Sequence, residues 1–311
     1  VKGKFVLASF PQPTCRPDDS WEKWAMPATV DSLKARRTAD QQAWNQRAQH
    51  AGFGSTRVAL QGMQRRLEAA GAAGILTHTW SQGWGVDRIF DAATDRAPVL
   101  DVSCEDYGLL YRLAERGQGP VVELSAQSQA RGEVSVFNVV AQIPGVELPN
   151  QYVMLSAHLD SWDGSSGATD NGTGTITMLE AMRLLQLAYP HPRRTIVVGH
   201  WSGEEQGLNG SSGFVHDHQP IVDSLQALFN QDNGTGRIES MSSSGFTLAA
   251  GNLARYLAQI PADLTRHIKF NFPGSPGGGG TDHASFVTCG ATGFGLGSGD
   301  WDYSRYTWHT N

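Results

Sequence analysis

From Gly132 onward the chain alternates short β-rich runs with helix-forming stretches, and strand after strand ends on an imidazole or a carboxylate. The runs are Val134–Gln142, Tyr152–Ala157, Thr195–His200, Ala227–Asn230 and Thr292–Leu296. Strands alternating with helices are joined by crossovers, which favours a sheet sandwiched between helices. In such a sheet the carboxyl ends of the strands share one edge, where open α/β folds build their sites. The expected fold class is therefore α/β, with a mixed and mostly parallel sheet.

Tyr152–Ala157 is followed by His158-Leu159-Asp160, a Gly/Ser loop and Asp170-Asn-Gly-Thr-Gly174. Ile176, Leu179, Met182 and Leu185 then recur at three-residue spacing, which predicts a helix. Taken alone, Asp170 reads as the N-cap of that helix. Thr195–His200 leads into Glu204-Glu205, two adjacent carboxylates that repel each other unless positive charge stands nearby. The next β-rich run ends at Asp232, and His309 stands near the end of the sequence. His158, Asp170, Glu205, Asp232 and His309 form a nitrogen and oxygen ligand set without thiolates, suited to Zn²⁺. Five ligands are too many for one tetrahedral site with an open position, but they suit two zinc ions sharing one short carboxylate. Glu204, left over beside a ligand, is placed to take a proton from attacking water. Asp160, two residues after His158, is expected to orient that imidazole.

At these residues the chain resembles the two-zinc exopeptidases of metallopeptidase family 28, which include bacterial aminopeptidases, carboxypeptidase Q and glutamate carboxypeptidases. His158-Leu-Asp-Ser-Trp-Asp163, Asp170-Asn-Gly-Thr-Gly, Glu204-Glu205, Asp232-Asn-Gly, Thr281-Asp-His283 and His309-Thr310 follow in the family's order. The resemblance implies that His158 and Asp232 bind one zinc, Glu205 and His309 the other, that Asp170 bridges both, and that Glu204 is the general base. It also implies a cis peptide after Asp170. The implied activity is cleavage of peptide bonds at a chain end or in dipeptides, of aminopeptidase type or of carboxypeptidase Q and glutamate carboxypeptidase type. A metal-free receptor-type relative is the non-enzymatic alternative. The implied partners are a peptide or dipeptide substrate and, as an alternative arrangement, a second copy in a homodimer; the implied location is secreted or periplasmic.

Residues 1–130 have a different texture. Lys4–Phe10, Gly74–Trp80, Pro98–Val102 and Pro120–Ser125 are β-rich, Ser55–Ala70 and Glu105–Arg116 are helical, and Ser20–His50 reads as surface helix and loop. Val1-Lys-Gly-Lys-Phe-Val-Leu7 and Ala69-Ala-Gly-Ala-Ala-Gly-Ile75 resemble the signatures of a protease-associated domain, a smaller β-rich α+β insertion found in this family. The expected organisation is a protease-associated domain over 1–130 and a catalytic domain over 131–311. An N-terminal peptidase segment and a C-terminal helix after His309 are then expected to lie outside this sequence.

The remaining features bear on partners and pocket. No apolar run approaches the length of a membrane span, and a net charge of −6 does not suit a surface for nucleic acid. Three cysteines cannot all pair, and buried free thiols are expected in preference to a Cys15–Cys104 bridge. The 36 glycines include Gly277–Gly280, within a loop at Pro273–Gly280 that lacks the Lys-Ser/Thr ending of a phosphate-binding loop. Asp282 and His283 either line a substrate pocket or cap a short helix, and His200 reads as a hydrogen-bonded core histidine. Trp162, Trp201, Trp301 and Trp308 either form an aromatic pocket or pack the sheet edge. Trp308 stands where many family aminopeptidases carry an oxyanion-stabilising Tyr, leaving Tyr303, Tyr306 or zinc for that task.

Overall fold

The computed structural model describes residues 1–311 apart from 55, 128, 130, 248–249 and 275–278. The reading of Pro273–Gly280 as a mobile loop falls largely on 275–278, outside the described residues. The chain divides into two units, Val1–Glu133 with Thr310–Asn311, and Val134–His309.

In the first unit, strands β1 (Phe5–Leu7), β2 (Gly74–Thr77) and β3 (Val99–Asp101) form a parallel sheet in the order β1-β2-β3. Helices α1 (Asp18–Trp24), α2 (Pro27–His50) and α3 (Arg57–Ala69) lie between β1 and β2 in sequence, and α4 (Cys104–Glu115) follows β3. Thr56 caps α3 through Ala59 N–H and Ser103 caps α4 through Asp106 N–H, which satisfies donors the helices leave open. Helix α2 is 24 residues long yet buries only Val30, and ion pairs Lys34–Glu22 (2.6 Å) and Arg37–Asp18 (2.7 Å) tie it to α1. Two expectations are corrected here. Cys15 and Cys104 are joined in a disulfide with Cα atoms 5.7 Å apart, leaving Cys289 as the free, exposed thiol. Pro120–Ser125 is no strand: Val121 is 95% exposed, and β propensity without a partner strand does not build one.

The second unit holds a seven-stranded sheet built from β4 (Val139–Ile143), β5 (Leu148–His158), β6 (Arg194–Trp201), β7 (Leu225–Gln231), β8 (Ile238–Ser242), β9 (Lys269–Asn271) and β10 (Gly293–Ser298). Their spatial order is β4-β6-β5-β7-β10-β8-β9. The four central strands β6, β5, β7 and β10 are mutually parallel, while β4 on β6 and β8 on β10 are antiparallel. Helices α5 (Thr173–Ala188), α6 (Asn209–Asp217), α7 (Gln219–Asp223), α8 (Ala250–Leu257), α9 (Ala262–Thr265) and α10 (His283–Val287) complete the unit. This is a mixed, mostly parallel α/β sheet.

Alternation along the strands decides which core each side chain enters. On β6, Val197 and Trp201 join Phe214, Val215, Val222 and Phe286 from α6, α7 and α10. Ile196 and Val198 point the other way, to Met178 and Met182 of α5. The central strands are thus covered on both faces and read as nearly continuous apolar runs. The α5 stripe differs from the expected spacing: Met178 and Met182 are buried, whereas Ile176 and Leu179 are exposed. Val134–Phe137 also lies outside β4 and is largely exposed. No described helix is long and apolar enough to cross a membrane.

Candidate metal centre

Parallel pairing brings the ends of β5, β6, β7 and β10 to one edge, and the chain places a chemical group at or just beyond the first three. His158 is the last residue of β5, Glu204 and Glu205 lie in the turn after β6, and Asp232 follows β7. Asp170 sits in the irregular turn Ala168–Gly172 ahead of α5, and His309 follows a similar turn at Tyr303–Thr307. Thr169 Oγ1 donates to the Thr307 carbonyl at 3.1 Å, which joins the two turns. Asp170 is therefore not the N-cap of α5: Gly172 holds that position without a side-chain cap, and the Asp170 carboxylate faces the imidazoles. The Asp170–Asn171 peptide is cis.

The local backbone needs small residues here. A Cβ on Gly174 would come within 2.5 Å of the Gln231 carbonyl and closer still to Asn171 Oδ1. Asn171 Nδ2 donates to that same carbonyl at 2.9 Å, and Asn171 Oδ1 accepts from Gly174 N–H, so the turn is pinned to the end of β7.

Two groups of three donors result, His158 with Asp170 and Asp232, and Asp170 with Glu205 and His309, each within 4.8 Å. Asp170 Oδ1 lies 3.3 Å from His158 Nε2, and Asp170 Oδ2 lies 3.1 Å from His309 Nε2. Glu205 Oε2 is 3.1 Å from the same His309 nitrogen, and Asp232 Oδ1 is 2.7 Å from His158 Nε2. His158 Nδ1 faces the Asp160 carbonyl at 3.1 Å, so in the neutral ring that nitrogen carries the proton. The Nε2 lone pair then points at two carboxylate oxygens, an arrangement that repels unless a proton or a cation stands between them. Burial opposes charging of His158, yet its hydrogen bonds to Asp160, Asp170 and Asp232 raise its basicity well above the ordinary value. His309 is likewise opposed by burial but lifted to about 9 by Asp170 and Glu205. Burial pushes Asp170 up, but the two imidazoles hold it well below the usual carboxylate range. The cluster demands positive charge, and its hard, thiolate-free donors fit zinc.

The residues around this cluster divide into several environments. Glu204 is buried and pushed up to about 9, first by burial and then by the charge of Asp232. The Asp160 carboxylate accepts the Glu204 and Glu205 amide N–H groups at 3.1 and 3.3 Å, so it shapes the Glu-Glu turn as well as standing 3.5 Å from His158 Nδ1. Asp282 is fully buried, and burial raises it to about 7 although Ser211 beside it favours the charged form. His283 opens α10 with its ring against Gly295 of β10. The four tryptophans separate: Trp201 is in the core, Trp301 is 82% exposed, Trp162 is edge-on to His309 at 6.1 Å, and Trp308 is tilted against it at 4.5 Å. Tyr303 hydrogen-bonds Asp170, and burial with the surrounding carboxylates raises its phenol. His200 is buried as expected, but neither ring nitrogen has a hydrogen-bond partner among the described residues, and burial lowers its basicity.

A buried relay runs under the site, and the sequence reading missed it. Trp201 Nε1 donates to Ser156 Oγ (2.7 Å), Ser156 Oγ to Asn230 Oδ1 (2.6 Å), and Asn230 Nδ2 to Thr281 Oγ1 (3.0 Å). It crosses β6, β5 and β7 to reach the residue before Asp282. Polar residues inside β-rich runs hinted at it, but the partners are set by strand order.

A nitrogen and carboxylate cluster at the carboxyl edge of a mostly parallel sheet places the protein among α/β folds that gather candidate metal ligands at their strand ends. The model for "Peptidase family M28" matches residues 138–311, and the chain belongs to that family. It is similar to carboxypeptidase Q of Xenopus laevis, 29% identical over 227 residues, which cover 73% of this chain and 46% of that protein. The chain thus spans about half the length of the curated relatives it matches. Among solved structures it resembles a peptidase M28 precursor from Shewanella amazonensis, with TM-score 0.62, 25% identity and coverage of 77% of this chain and 54% of that one. It shares its fold with BSAP, a zinc aminopeptidase from Bacillus subtilis, with TM-score 0.55, 20% identity and coverage of 80% and 61%.

Proposed function

We propose that Val134–His309 is the catalytic unit of a zinc-dependent exopeptidase, and that Val1–Glu133 is a protease-associated domain. The observation that carries the reading is the split carboxylate of Asp170, with one oxygen toward His158 and the other toward His309. On this reading His158 and Asp232 would hold one Zn²⁺, Glu205 and His309 would hold another, and Asp170, common to both donor groups, would serve the two. Bound there, the two ions supply Lewis acidity and lower the pKa of water.

The protein's own groups do the rest. Asp160 fixes the Glu204–Glu205 turn through two amide hydrogen bonds. Glu204 is the group placed to take the proton of the attacking water and return it to the leaving amine; the positive charge the site would take up would offset the burial and the Asp232 charge that otherwise keep its carboxyl protonated. Asp160, through its carbonyl, keeps the His158 Nδ1 proton and so aims Nε2 at Asp170 and Asp232. Trp162 and Trp308 wall His309 and limit water there, while Asp282 and His283 are buried at the start of α10, which favours a place at the helix start over the substrate side. The Cys15–Cys104 bridge favours an oxidising location, secreted or periplasmic. Similarity to carboxypeptidase Q favours cleavage of dipeptides or of a C-terminal residue over aminopeptidase action.

Metal analysis of the purified chain should find two zinc ions. A panel of free dipeptides, aminoacyl anilides and N-blocked peptides assigns the end that is recognised. Glu204→Gln should retain both ions while kcat falls about 10²–10⁴-fold. Absence of metal, or an active Glu204→Gln variant, rejects the reading.

A further inference from the structure

Trp301 packs into no core, being 82% exposed, yet its backbone is costly to hold. Trp301 (φ 28°) and Asp302 (φ 61°) are consecutive non-glycine residues in the left-handed region, where a side chain crowds its own backbone. Such conformations persist only where the surroundings over-determine them, and they cluster at sites that contact ligands. The surroundings do so here. The Asp300 carboxylate accepts the Ser304 amide N–H at 2.9 Å and the Ser304 hydroxyl at 3.0 Å. Thr235 Oγ1 lies 3.3 Å from both the Asp300 and the Trp301 carbonyl oxygens. The Gly299 carbonyl accepts the Thr235 and Gly236 N–H groups at 3.4 and 3.3 Å, and Gly299 N–H donates to the Arg237 carbonyl at 2.9 Å. A Cβ on Gly234 would stand 2.5 Å from Ser298 Cβ, so the absence of a side chain at 234 lets the two loops meet.

Both loops are attached to the metal centre. Residues 233–237 follow Asp232 directly, and Tyr303, two residues past Trp301, hydrogen-bonds Asp170. Two residues of chain span at most about 7 Å, which puts the Trp301 backbone at the rim of the site. The acids flanking the indole are already engaged, Asp300 by Ser304 and Asp302 by Arg305 at 3.8 Å, which favours an apolar partner over a cationic one. An exposed indole on a rigid loop offers a large flat apolar face with little rotamer freedom left to lose. We infer that Trp301 sets side-chain preference at the candidate peptidase site, its ring packing against an aromatic or branched apolar side chain of the bound peptide. The inference rests on the reading of the site as a zinc exopeptidase.

The test uses the zinc-loaded full chain and the peptides it turns over, in matched phenylalanine, leucine, alanine and lysine forms at each substrate position. Trp301→Ala should raise KM for the phenylalanine and leucine forms about fivefold, while kcat and the KM of the alanine form stay within about twofold. Zinc content and thermal midpoint should not move, and Trp301→Phe should recover most of the preference. A reduced-amide analogue of the phenylalanine form, which cannot be hydrolysed, should shift the Trp301 indole resonance of the ¹⁵N-tryptophan-labelled chain. That resonance is the one missing from Trp301→Phe. A KM that changes equally for all forms or for none, a loss confined to the lysine form, or an unshifted Trp301 resonance in the saturated complex overturns the inference and leaves the peptidase reading standing. A parent chain without zinc or turnover removes both.

Discussion

Asp170 is the side chain on which both imidazoles converge, so its charge and its two oxygens carry separate consequences. Asp170→Asn keeps the size but leaves one carbonyl oxygen and one amide donor facing His158 and His309. Zinc content should fall from two ions to one or fewer, and turnover at least 100-fold, with far-ultraviolet circular dichroism unchanged. His200 makes a separate residue-scale prediction. Its neutral form is favoured in the folded protein because burial lowers its basicity, whereas the unfolded chain binds a proton near the ordinary value of 6.5. Below that value the unfolded state takes up more protons, so the His200 contribution to stability is lost as pH falls. Comparing urea midpoints at pH 7.5 and 5.5, His200→Leu should lose less stability on acidification than the parent. At this scale much was legible: His158, Asp170, Glu205, Asp232 and His309 lie just past β-rich runs or in motif order, and the fold draws them together. The Asp160 carboxylate on the Glu204 and Glu205 amides was not legible, because it depends on how two loops from different strands meet.

The relay from Trp201 through Ser156 and Asn230 to Thr281 belongs to the scale of elements, since it ties neighbouring strands at fixed register. Ser156→Ala strands the Trp201 N–H and the Asn230 carbonyl in a dry interior, which costs about 1–3 kcal/mol. A lower urea midpoint with retained zinc stoichiometry is expected. The disulfide acts in the other unit. It joins the segment before α1 to the first residue of α4 across 89 residues, and closing such a loop restricts the unfolded chain. Cys15→Ser should lower the stability of that unit by about 2–4 kcal/mol, read from calorimetry with and without reductant. Strands β8 and β9 escaped the sequence reading because Ile238–Ser242 is half polar and Lys269–Asn271 is three residues long; their pairing partners define them. Conversely, Val134–Phe137 has strand chemistry but no place in the ladder, which starts at Val139.

For the whole molecule, the formal charge of −6 includes acids gathered around one buried centre. Removing zinc with a chelator should therefore act on the unfolding of Val134–His309. By mass action an ion at 1,000 times its Kd contributes about 4 kcal/mol, so chelation should lower the calorimetric transition of that unit by several degrees and zinc should restore it. The transition sensitive to reductant should be the one assigned to Val1–Glu133.

Three of the proposed ligands, His158, Glu205 and Asp232, stand at or just past the ends of separate strands, so the spacing between them is a readout of sheet register. A slip of one residue in β5 or β7 would shift His158 or Asp232 by about 3.3 Å and turn the strand's side chains to opposite faces. That displacement is comparable with the 4.8 Å span of each donor group. A variant that loosens the ladder could keep its helices, its cores and its circular dichroism and yet fail to coordinate. Zinc retention is then a ruler for strand alignment, sensitive to errors that global stability measurements average away.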